Sequence, residues 1–551
     1  MAAIIQADLV LSSAAIFTGN DTEPLTGSVA IKDNKILAVG STEEVETFIG
    51  EETKILDVGD RLVMPGFHDS HIHLFLGSLA RESADLSGTK SEEEAAQIVK
   101  EFADEHPDAP WIFGFRWYHI FWEEQKLPTR HSLDRLIPDR PVLLMNEECH
   151  GAWVNTKALD LMGIDEHTPD PPFGKIVRDE HGEPTGFLYE TAMKFAEKAF
   201  AAIPMDDQKR LFESFLSHAR ALGVTSVNDM LPLPGFNLGN LDLYAAYDEA
   251  GKLTTRIHFL AALDGDLELP KKLRETYKSE KLQFSGLKQF VDGVPIAYTA
   301  YLIEPYSDDP STIGDTLIPK DLLKQWIITA DEAGFRIRLH TCGDGAVRLA
   351  LDCFEEAQRL NGKRDSRHTI EHIEVIHPDD INRLEKLGVI ASFQPEHLAA
   401  ERFVDHMYRK RLGDREPFLW RILTIADTGA TVIFGSDFPV VGLDPMTEIY
   451  RAVTRLHDDL QPVGGWNPQE KVALHDALTY YTKTPAYNTF REHELGTLEA
   501  GKLADIVVLD RNLFAVPAEE IKHAKVMLTI MDGKIVHEAL AENRVGSTEG
   551  Q

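Results

Sequence analysis

Residues 64–74 of this chain read Met64-Pro65-Gly66-Phe67-His68-Asp69-Ser70-His71-Ile72-His73-Leu74. A short apolar segment with a Pro-Gly break leads into a His-x-His pair. On a β-strand, residues i and i+2 point to one face, so the sequence predicts that His71 and His73 project side by side. Two such imidazoles form half of a site for a divalent ion such as zinc. In a chain with 22 histidines the pair alone is weak evidence, so the rest of the sequence must supply the partners.

The middle of the chain alternates β-rich apolar runs with helical stretches such as 320–333 and 344–360. This alternation is typical of a parallel sheet covered by helices. Together with the His-x-His strand there are eight strand candidates, the number in a (β/α)8 TIM-like barrel. The other seven are 224–227, 256–260, 287–291, 335–340, 369–372, 389–393 and 431–435. The predicted fold class is therefore α/β, with a barrel over residues 67–484.

Both ends of the chain have a different pattern, in which short strands alternate with turns such as Asp33-Asn34 and Asp532-Gly533. Each end is too small to bury a core alone. We therefore expect residues 1–66 and 485–551 to form one composite β-sandwich. Roughly 150 residues separate the first two barrel strands, far more than a loop needs. This gap predicts an inserted subdomain at about 84–205, over the barrel mouth.

The composition excludes several function classes. With 56 basic and 90 acidic residues, the formal net charge is −34, so nucleic acid and anionic membranes are poor partners. No run of about 18 apolar residues predicts a membrane span. Three scattered cysteines and the lack of a signal-peptide pattern favour a reducing, cytoplasmic setting. The expected partner is a small-molecule substrate, and a homodimer stays open.

Three further polar residues stand at the ends of predicted barrel strands. His340 ends the fifth strand, His372 ends the sixth, and Asp437 follows the eighth. Barrel enzymes place their chemistry at the carboxyl ends of the strands. His71, His73, His340, His372 and Asp437 should therefore surround one mouth, and the sequence predicts that they bind metal.

These residues and several motifs resemble the metal-dependent amidohydrolase superfamily, and in particular its YtcJ-like branch, amidohydrolase family 3. The resemblance spans nearly the whole chain. It implies a barrel with a composite β-domain and hydrolysis at a metal centre. One departure is Gly345, where the family pattern usually has a basic residue. The motifs that carry the resemblance are 64–73, 178–186, 288–293, Gly343-Asp344, Gln394-Pro395, Gly435-Ser436-Asp437 and 496–510.

The resemblance also implies roles for individual residues. Relatives with two metal ions often bridge them with a carbamylated lysine on the fourth strand, and Lys288 stands at the matching place. A buried lysine can lose its proton and react with carbon dioxide. Glu190, in the insertion, is an alternative carboxylate. Other relatives hold a single ion, in which case His372 assists catalysis instead. Zinc is the expected metal, with one or two ions per chain.

Asp437 is the predicted catalytic residue. A divalent ion lowers the pKa of water towards neutrality, and a nearby carboxylate can take the proton of that water and pass it to a leaving amine. Asp344 and Glu371 are candidate partners that orient His340 and His372. In the insertion, Trp117 and His150 are the predicted substrate-binding residues.

Three functions follow from this sequence. The leading hypothesis is a metal-dependent amidohydrolase that cleaves a carbon–nitrogen bond in an amide, formamide or cyclic amide. Deamination of an amino-heterocycle at a one-metal site is the alternative. A non-catalytic binding protein with the same fold is disfavoured because His71, His73, His340, His372 and Asp437 are all present.

Overall fold

The centre of the fold is an eight-stranded parallel sheet whose strands follow one another in sequence order. In this computed structural model, which describes residues 5–399, 403 and 406–539, a parallel bridge between Ile72 and Phe438 joins the two ends of that sheet. The predicted barrel is therefore confirmed. Its strands, named first to eighth below, are Phe67–Ile72, Val224–Met230, Arg256–Ala262, Leu282–Phe290, Ile337–Thr341, Thr369–His372, Ile390–Phe393 and Val432–Phe434.

The barrel strands are buried on both faces. Every residue of the first and second strands is buried. This is the environment of a parallel sheet that is covered outside by helices and filled inside by side chains. The helices that follow the insertion are Met205–Ala221, Leu241–Glu249, Glu268–Thr276, Lys320–Glu332, Asp344–Asn361, Ile381–Leu387, Met407–Leu412, Ile422–Ala426, Pro445–Thr454, Leu474–Tyr480 and Lys483–Asn488.

The two ends of the chain meet in a second sheet. Val507 pairs with Met64 in an antiparallel register, which joins the carboxyl-terminal strands to the amino-terminal ones. Residues from both ends share one apolar core. By hydrogen bonding this is one continuous sheet, and the short helix Thr42–Glu46 packs beside it. Its strands are Leu9–Ile16, Leu25–Lys32, Lys35–Gly40, Lys54–Asp57, Leu62–Pro65, Ile506–Leu509, Val526–Met531 and Lys534–Glu538.

The segment between the first two barrel strands forms its own six-stranded sheet. Its strands are Ala84–Asp85, Ile112–Trp117, Val142–Asn146, Gly151–Val154, Gly174–Arg178 and Pro184–Glu190. Its helices, with the one that leads into it, are Leu74–Arg81, Glu92–Glu105, Arg130–Leu136, Thr156–Met162 and Glu197–Ala201. A short hairpin of Pro232–Leu233 and Phe236–Asn237 follows the second barrel strand.

The exact domain limits stay a prediction. Residues 1–4 and 540–551, at the outer ends of the predicted β-domain, lie outside the described residues. Among the helices that are described, none has the length and apolar character needed to cross a bilayer.

Candidate metal centre

The His-x-His pair faces Asp437 at the carboxyl end of the barrel. Nε2 of His71 and Nε2 of His73 each lie 3.3 Å from the same atom, Oδ1 of Asp437. The backbone fixes this arrangement, because the Asp437 N–H donates to the His71 carbonyl at 2.7 Å and the His73 N–H to the Phe438 carbonyl at 2.8 Å. The structure thus brings together three of the predicted ligands from opposite ends of the barrel sequence.

Each imidazole of the pair is oriented through its other nitrogen. Nδ1 of His73 lies 2.8 Å from the Met230 carbonyl, and Nδ1 of His71 lies 2.9 Å from Oε2 of Glu371. Arg338 holds the second oxygen of Glu371. These contacts leave both Nε2 atoms directed towards Asp437. Such partners fix the ring orientation of metal-ligating histidines.

The orienting partners differ from those that the sequence suggested. Glu371 contacts His71 and not its neighbour His372, because adjacent residues of a strand point to opposite sides. Asp344 accepts a hydrogen bond from the Ile303 N–H at 2.9 Å, so it anchors a loop and does not orient His340.

His340 and His372 complete the ring of histidines. Their ring centroids are 4.4 Å apart, and His372 lies 5.0 Å from the ring of His71. Nδ1 of His372 is buried and has no hydrogen-bond partner in the described ranges of the chain. Nε2 of His340 is engaged more weakly, 3.3 Å from the Gly293 carbonyl and 3.4 Å from Sγ of Cys342.

The structure adds a residue that the sequence analysis missed, His397. Its Nε2 lies 3.7 Å from Oδ2 of Asp437, and its Nδ1 lies 3.5 Å from Oε1 of Glu374. His372, His397 and Asp437 form a second convergent donor set beside His71, His73 and Asp437. The signal was present in the sequence, since His397 follows the Gln394-Pro395 motif just after the seventh barrel strand.

Lys288 lies within the barrel on the fourth strand. It is fully buried, and its Nζ has no hydrogen-bond partner among the described residues. Burial lowers the pKa of the Lys288 amine to about 8, against the opposing influence of Glu371 and Asp437. A larger neutral fraction of this amine is the chemical requirement for reaction with carbon dioxide. The structure places Lys288 near the site, but the convergent donor sets do not contain it.

The carboxylate of Glu190 contacts a histidine and not the two metal ions that a bridging carboxylate would need. Its Oε2 lies 2.8 Å from Nδ1 of His150, and its Oε1 is buried without a hydrogen-bond partner. Burial would lower the pKa of His150, but the charge of Glu190 and their hydrogen bond raise it to about 9. The ring of His150 lies 5.4 Å from that of His340. Glu190 therefore positions His150 at the site.

The position of Trp117 does not support the predicted contact with substrate. This side chain is fully buried and packs against Trp122, Trp153 and Phe187, and its indole N–H donates to the Leu144 carbonyl at 3.1 Å. Aromatic clusters of this size commonly form the core of a small domain.

The charge states of the centre suit a cation. Burial lowers the pKa of His71 to about 4 and the pKa values of His340 and His372 well below the ordinary range. Burial opposes ionisation of Asp437, but His71 and His73 hold its pKa well below the usual value. Neutral imidazoles and an ionised carboxylate are the forms that bind divalent metals.

The residues present fit a divalent cation. Nitrogen and carboxylate donors converge in two sets, and within the described part of the chain Oδ1 of Asp437 and Nδ1 of His372 are buried without hydrogen-bond partners. Buried polar atoms normally have partners, so these atoms point to a ligand.

A cavity that is partly open to solvent lies above these residues. It is lined by Tyr118, Phe121, Glu147, Glu148, His150, Val294, Ile296, His340, Cys342, His372, Glu374, His397, His406, Tyr408, Asp437 and Val440. Side chains of the barrel and of the insertion therefore enclose one space.

Known proteins and one family model match this chain over nearly its whole length. A family model described as "Amidohydrolase family" matches residues 54–537. The putative amidohydrolase YtcJ of Bacillus subtilis is 31% identical over 540 residues, which cover 95% of this chain and 98% of that protein. An N-substituted formamide deformylase of Arthrobacter pascens is 29% identical over 548 residues, which cover 96% of this chain and 98% of that protein.

A solved structure shows the same architecture. An uncharacterized metal-dependent hydrolase of Pyrococcus horikoshii has a TM-score of 0.75 and 27% sequence identity, and the match covers 93% of this chain and 99% of that one. The barrel, the terminal sheet and the insertion thus belong to one shared fold.

Proposed function

The chain belongs to the amidohydrolase family, and on that premise we propose that it hydrolyses the carbon–nitrogen bond of a small amide, formamide or cyclic amide. One observation carries the proposal. Oδ1 of Asp437 lies 3.3 Å from both Nε2 of His71 and Nε2 of His73, and no described residue forms a hydrogen bond with it. A carboxylate beside a metal-ligand pair is the arrangement in which a water molecule can be deprotonated.

His71, His73 and Asp437 would hold the first ion, and zinc is the metal that this donor set favours. A bound divalent ion supplies a Lewis acid and lowers the pKa of water towards neutrality. His372 and His397, together with Asp437, would hold a second ion. His340 and a carbamylated Lys288 complete the proposed set for two ions.

The chain's own residues move the proton and position the substrate. Asp437 accepts the proton that the attacking water loses and delivers it to the nitrogen of the leaving amine. General acid–base catalysis of this kind contributes about 10²–10⁴ in rate. His150 lines the cavity while its Nδ1 is held by Glu190, so its other ring nitrogen is free to hydrogen-bond the substrate.

Deamination of an amino-heterocycle is the second candidate. The set of His71, His73 and Asp437 is sufficient for one ion, and Nε2 of His340 faces the Gly293 carbonyl instead of these donors. The family resemblance implies a deaminase in particular where the site holds a single ion.

A substrate panel distinguishes these functions. The metal-loaded protein is incubated with N-substituted formamides, acetamides, cyclic amides and amino-heterocycles, and the released amine, carboxylate and ammonia are quantified. We expect amine and formate from N-substituted formamides, the substrates that the name of the Arthrobacter relative indicates. Ammonia from heterocycles with no cleavage of amides would establish the deaminase. No turnover with any class would leave a binding protein.

The protein's setting is also part of the proposal. The net charge of −34 favours a small molecule over nucleic acid as the partner. The expected location is the cytoplasm, where the three buried, unpaired cysteines stay reduced.

A further inference from the structure

Three carboxylates line the cavity beside Asp437, and one of them, Glu374, also contacts His397 at 3.5 Å. Glu147, Glu148 and Glu374 line the same space as Asp437. Glu148 also borders the inner space next to His71 and His73, so it connects the outer cavity with the reacting centre. Among the described lining residues none is lysine or arginine.

The carboxylates are positioned by tyrosines. The Tyr118 hydroxyl donates to Oε2 of Glu148 at 2.6 Å, and the Tyr408 hydroxyl donates to Oε2 of Glu374 at 2.6 Å. Each of these bonds occupies one carboxylate oxygen. The side chain of Glu147 accepts no hydrogen bond from any described residue, so its carboxylate is available to a ligand.

The described residues compensate Glu147 and Glu148 only in part. The protonated His150 acts on Glu148, while Arg116, which acts on Glu147, is itself paired with Asp85. Burial raises the pKa of Glu147 and of Glu148 to about 7, because a carboxylate that is removed from water is costly to ionise. A cation in the cavity would relieve that cost. The neighbouring rings of Tyr118, Phe121 and Tyr408 would add cation–π attraction.

The metal centre opens into the same cavity. His372 and Asp437, whose Nδ1 and Oδ1 atoms are buried without hydrogen-bond partners among the described residues, line it together with the three carboxylates. An amide bound beside His372 and Asp437 would extend its substituent towards Glu148.

We propose that the outer cavity formed by Glu147, Glu148 and Glu374 binds a protonated amine, so that the substrate is an amide or formamide whose substituent carries a cationic amino group. The inference rests on the proposed function for the amide part only. The recognition of the ammonium group is a separate property of the cavity. Anionic substituents are excluded by the same charges.

Turnover of three matched formamides tests the proposal. The first is the monoformamide of a five-carbon diamine, the second is N-hexylformamide, in which a methyl group replaces the ammonium, and the third is the N-formyl derivative of a six-carbon amino acid. We expect kcat/KM to fall in that order. A charge-assisted hydrogen bond predicts about ten- to hundredfold between the first two. Equal or better cleavage of N-hexylformamide would overturn the proposal.

Two variants and a control test whether these carboxylates cause the preference for the cationic formamide. In Glu148→Gln the ratio of kcat/KM for the cationic over the neutral formamide should fall about tenfold or more. Glu147→Gln serves as a second variant, because no described residue donates a hydrogen bond to this side chain, and it should lower the same ratio. The control Glu180→Gln changes the same charge on the insertion at a side chain that is 87% exposed, and its ratio should match wild type. Unchanged ratios in Glu148→Gln and Glu147→Gln would overturn the proposal.

A binding measurement separates this inference from the proposed function. Titration calorimetry of the metal-loaded protein with pentylammonium, and with pentanol as the neutral control, requires no turnover. We expect saturable binding of pentylammonium that weakens in Glu148→Gln. Cation binding without hydrolysis of any amide, formamide or cyclic amide would refute the proposed reaction and keep the cationic subsite. Hydrolysis without preference for the cation, and without its binding, would refute the subsite and keep the reaction.

Discussion

Nδ1 of His71 lies 2.9 Å from Oε2 of Glu371, although 300 positions separate the two residues in sequence. Both side chains are buried. The other oxygen of Glu371 is bound by Arg338, whose guanidinium also donates to the Ser70 carbonyl at 2.8 Å. Arg338 therefore fixes the carboxylate of Glu371, and this carboxylate in turn orients the imidazole of His71. Through this contact the sixth barrel strand determines how the first strand presents a metal ligand.

Glu371→Gln should weaken metal binding without removing a ligand. The neutral amide orients His71 less firmly and leaves the buried guanidinium of Arg338 without a counter-charge. Loss of such a partner usually costs about 10–100-fold in metal affinity. Competition with a chelator measures this affinity. The control Glu355→Gln removes a carboxylate that is 51% exposed and paired with Arg383 on a helix outside the barrel. An affinity equal to wild type in Glu371→Gln would refute the orienting role.

The barrel and most of the metal centre could be predicted from sequence because their signals are local. Alternating strands and helices determine the architecture, and a histidine or aspartate at the end of a strand is visible without knowing its neighbours. His71, His73 and Asp437 were found in this way, and the structure brings them together.

The missed features depend on long-range contacts. Pairing of Glu371 with His71, and of Glu190 with His150, follows from the packing of distant segments, which no local pattern encodes. Trp117 illustrates a second limit of sequence-based prediction. A run of aromatic residues predicts a buried cluster, but it does not show whether the cluster lines a cavity or forms a core. His397 was overlooked because it lies in a short helical turn after its strand and not at the strand end.

Lys288→Met tests the proposed bridge. If carbon dioxide adds to the neutral amine, a carbamate forms with loss of a proton, and its two oxygens can join two ions. We then expect the variant to bind one metal per chain where wild type binds two, by elemental analysis of dialysed protein. Reconstitution of wild type should also require bicarbonate. The control Lys278→Met alters a lysine that is 58% exposed and should leave both results unchanged. Equal stoichiometry in Lys288→Met would assign the lysine a purely structural role.

Removal of metal should reduce stability as well as activity. A ligand that binds only the folded state stabilises it by about 2.7 kcal/mol when its free concentration is a hundred times Kd. Dialysis against a chelator should therefore lower the melting temperature by several degrees, and zinc should restore it. His73→Ala is the matched control, since a protein that has lost this ligand should respond little to the chelator. Full activity of rigorously metal-free wild type would contradict the proposed mechanism.

His68 should make the protein sensitive to mild acid. Burial lowers the pKa of this side chain from 6.5 to about 3, and its Nε2 lies 2.7 Å from Oδ1 of Asn228. The unfolded chain binds a proton below pH 6.5 while the folded chain does not, so stability falls as the pH decreases from 6.5 towards 3. The slope is about 1.4 kcal/mol per pH unit for this one group.

His68→Gln should flatten that acid dependence, because a glutamine amide can donate to Asn228 without titrating. Chemical unfolding between about pH 7 and pH 5 measures the difference, for which we expect about 2 kcal/mol at the lower pH. His493→Gln, at a side chain that is 88% exposed, provides the control and should retain the wild-type slope. An unchanged slope in His68→Gln would show that this imidazole does not titrate on unfolding as proposed.

Asp437→Asn separates the role of Asp437 as proton acceptor from its role as a metal ligand. The substitution keeps the size of the side chain and one oxygen near His71 and His73, so much of the metal should be retained. An amide cannot accept the proton of the attacking water, and kcat should therefore fall by about two to four powers of ten. His71→Ala removes an imidazole, so metal content and rate should collapse together. Metal analysis and kcat on the same preparations distinguish the two variants. If Asp437→Asn with bound metal turned over substrate at nearly the wild-type rate, the base would lie elsewhere. Glu371 could not replace it, because Arg338 and His71 already occupy both of its oxygens.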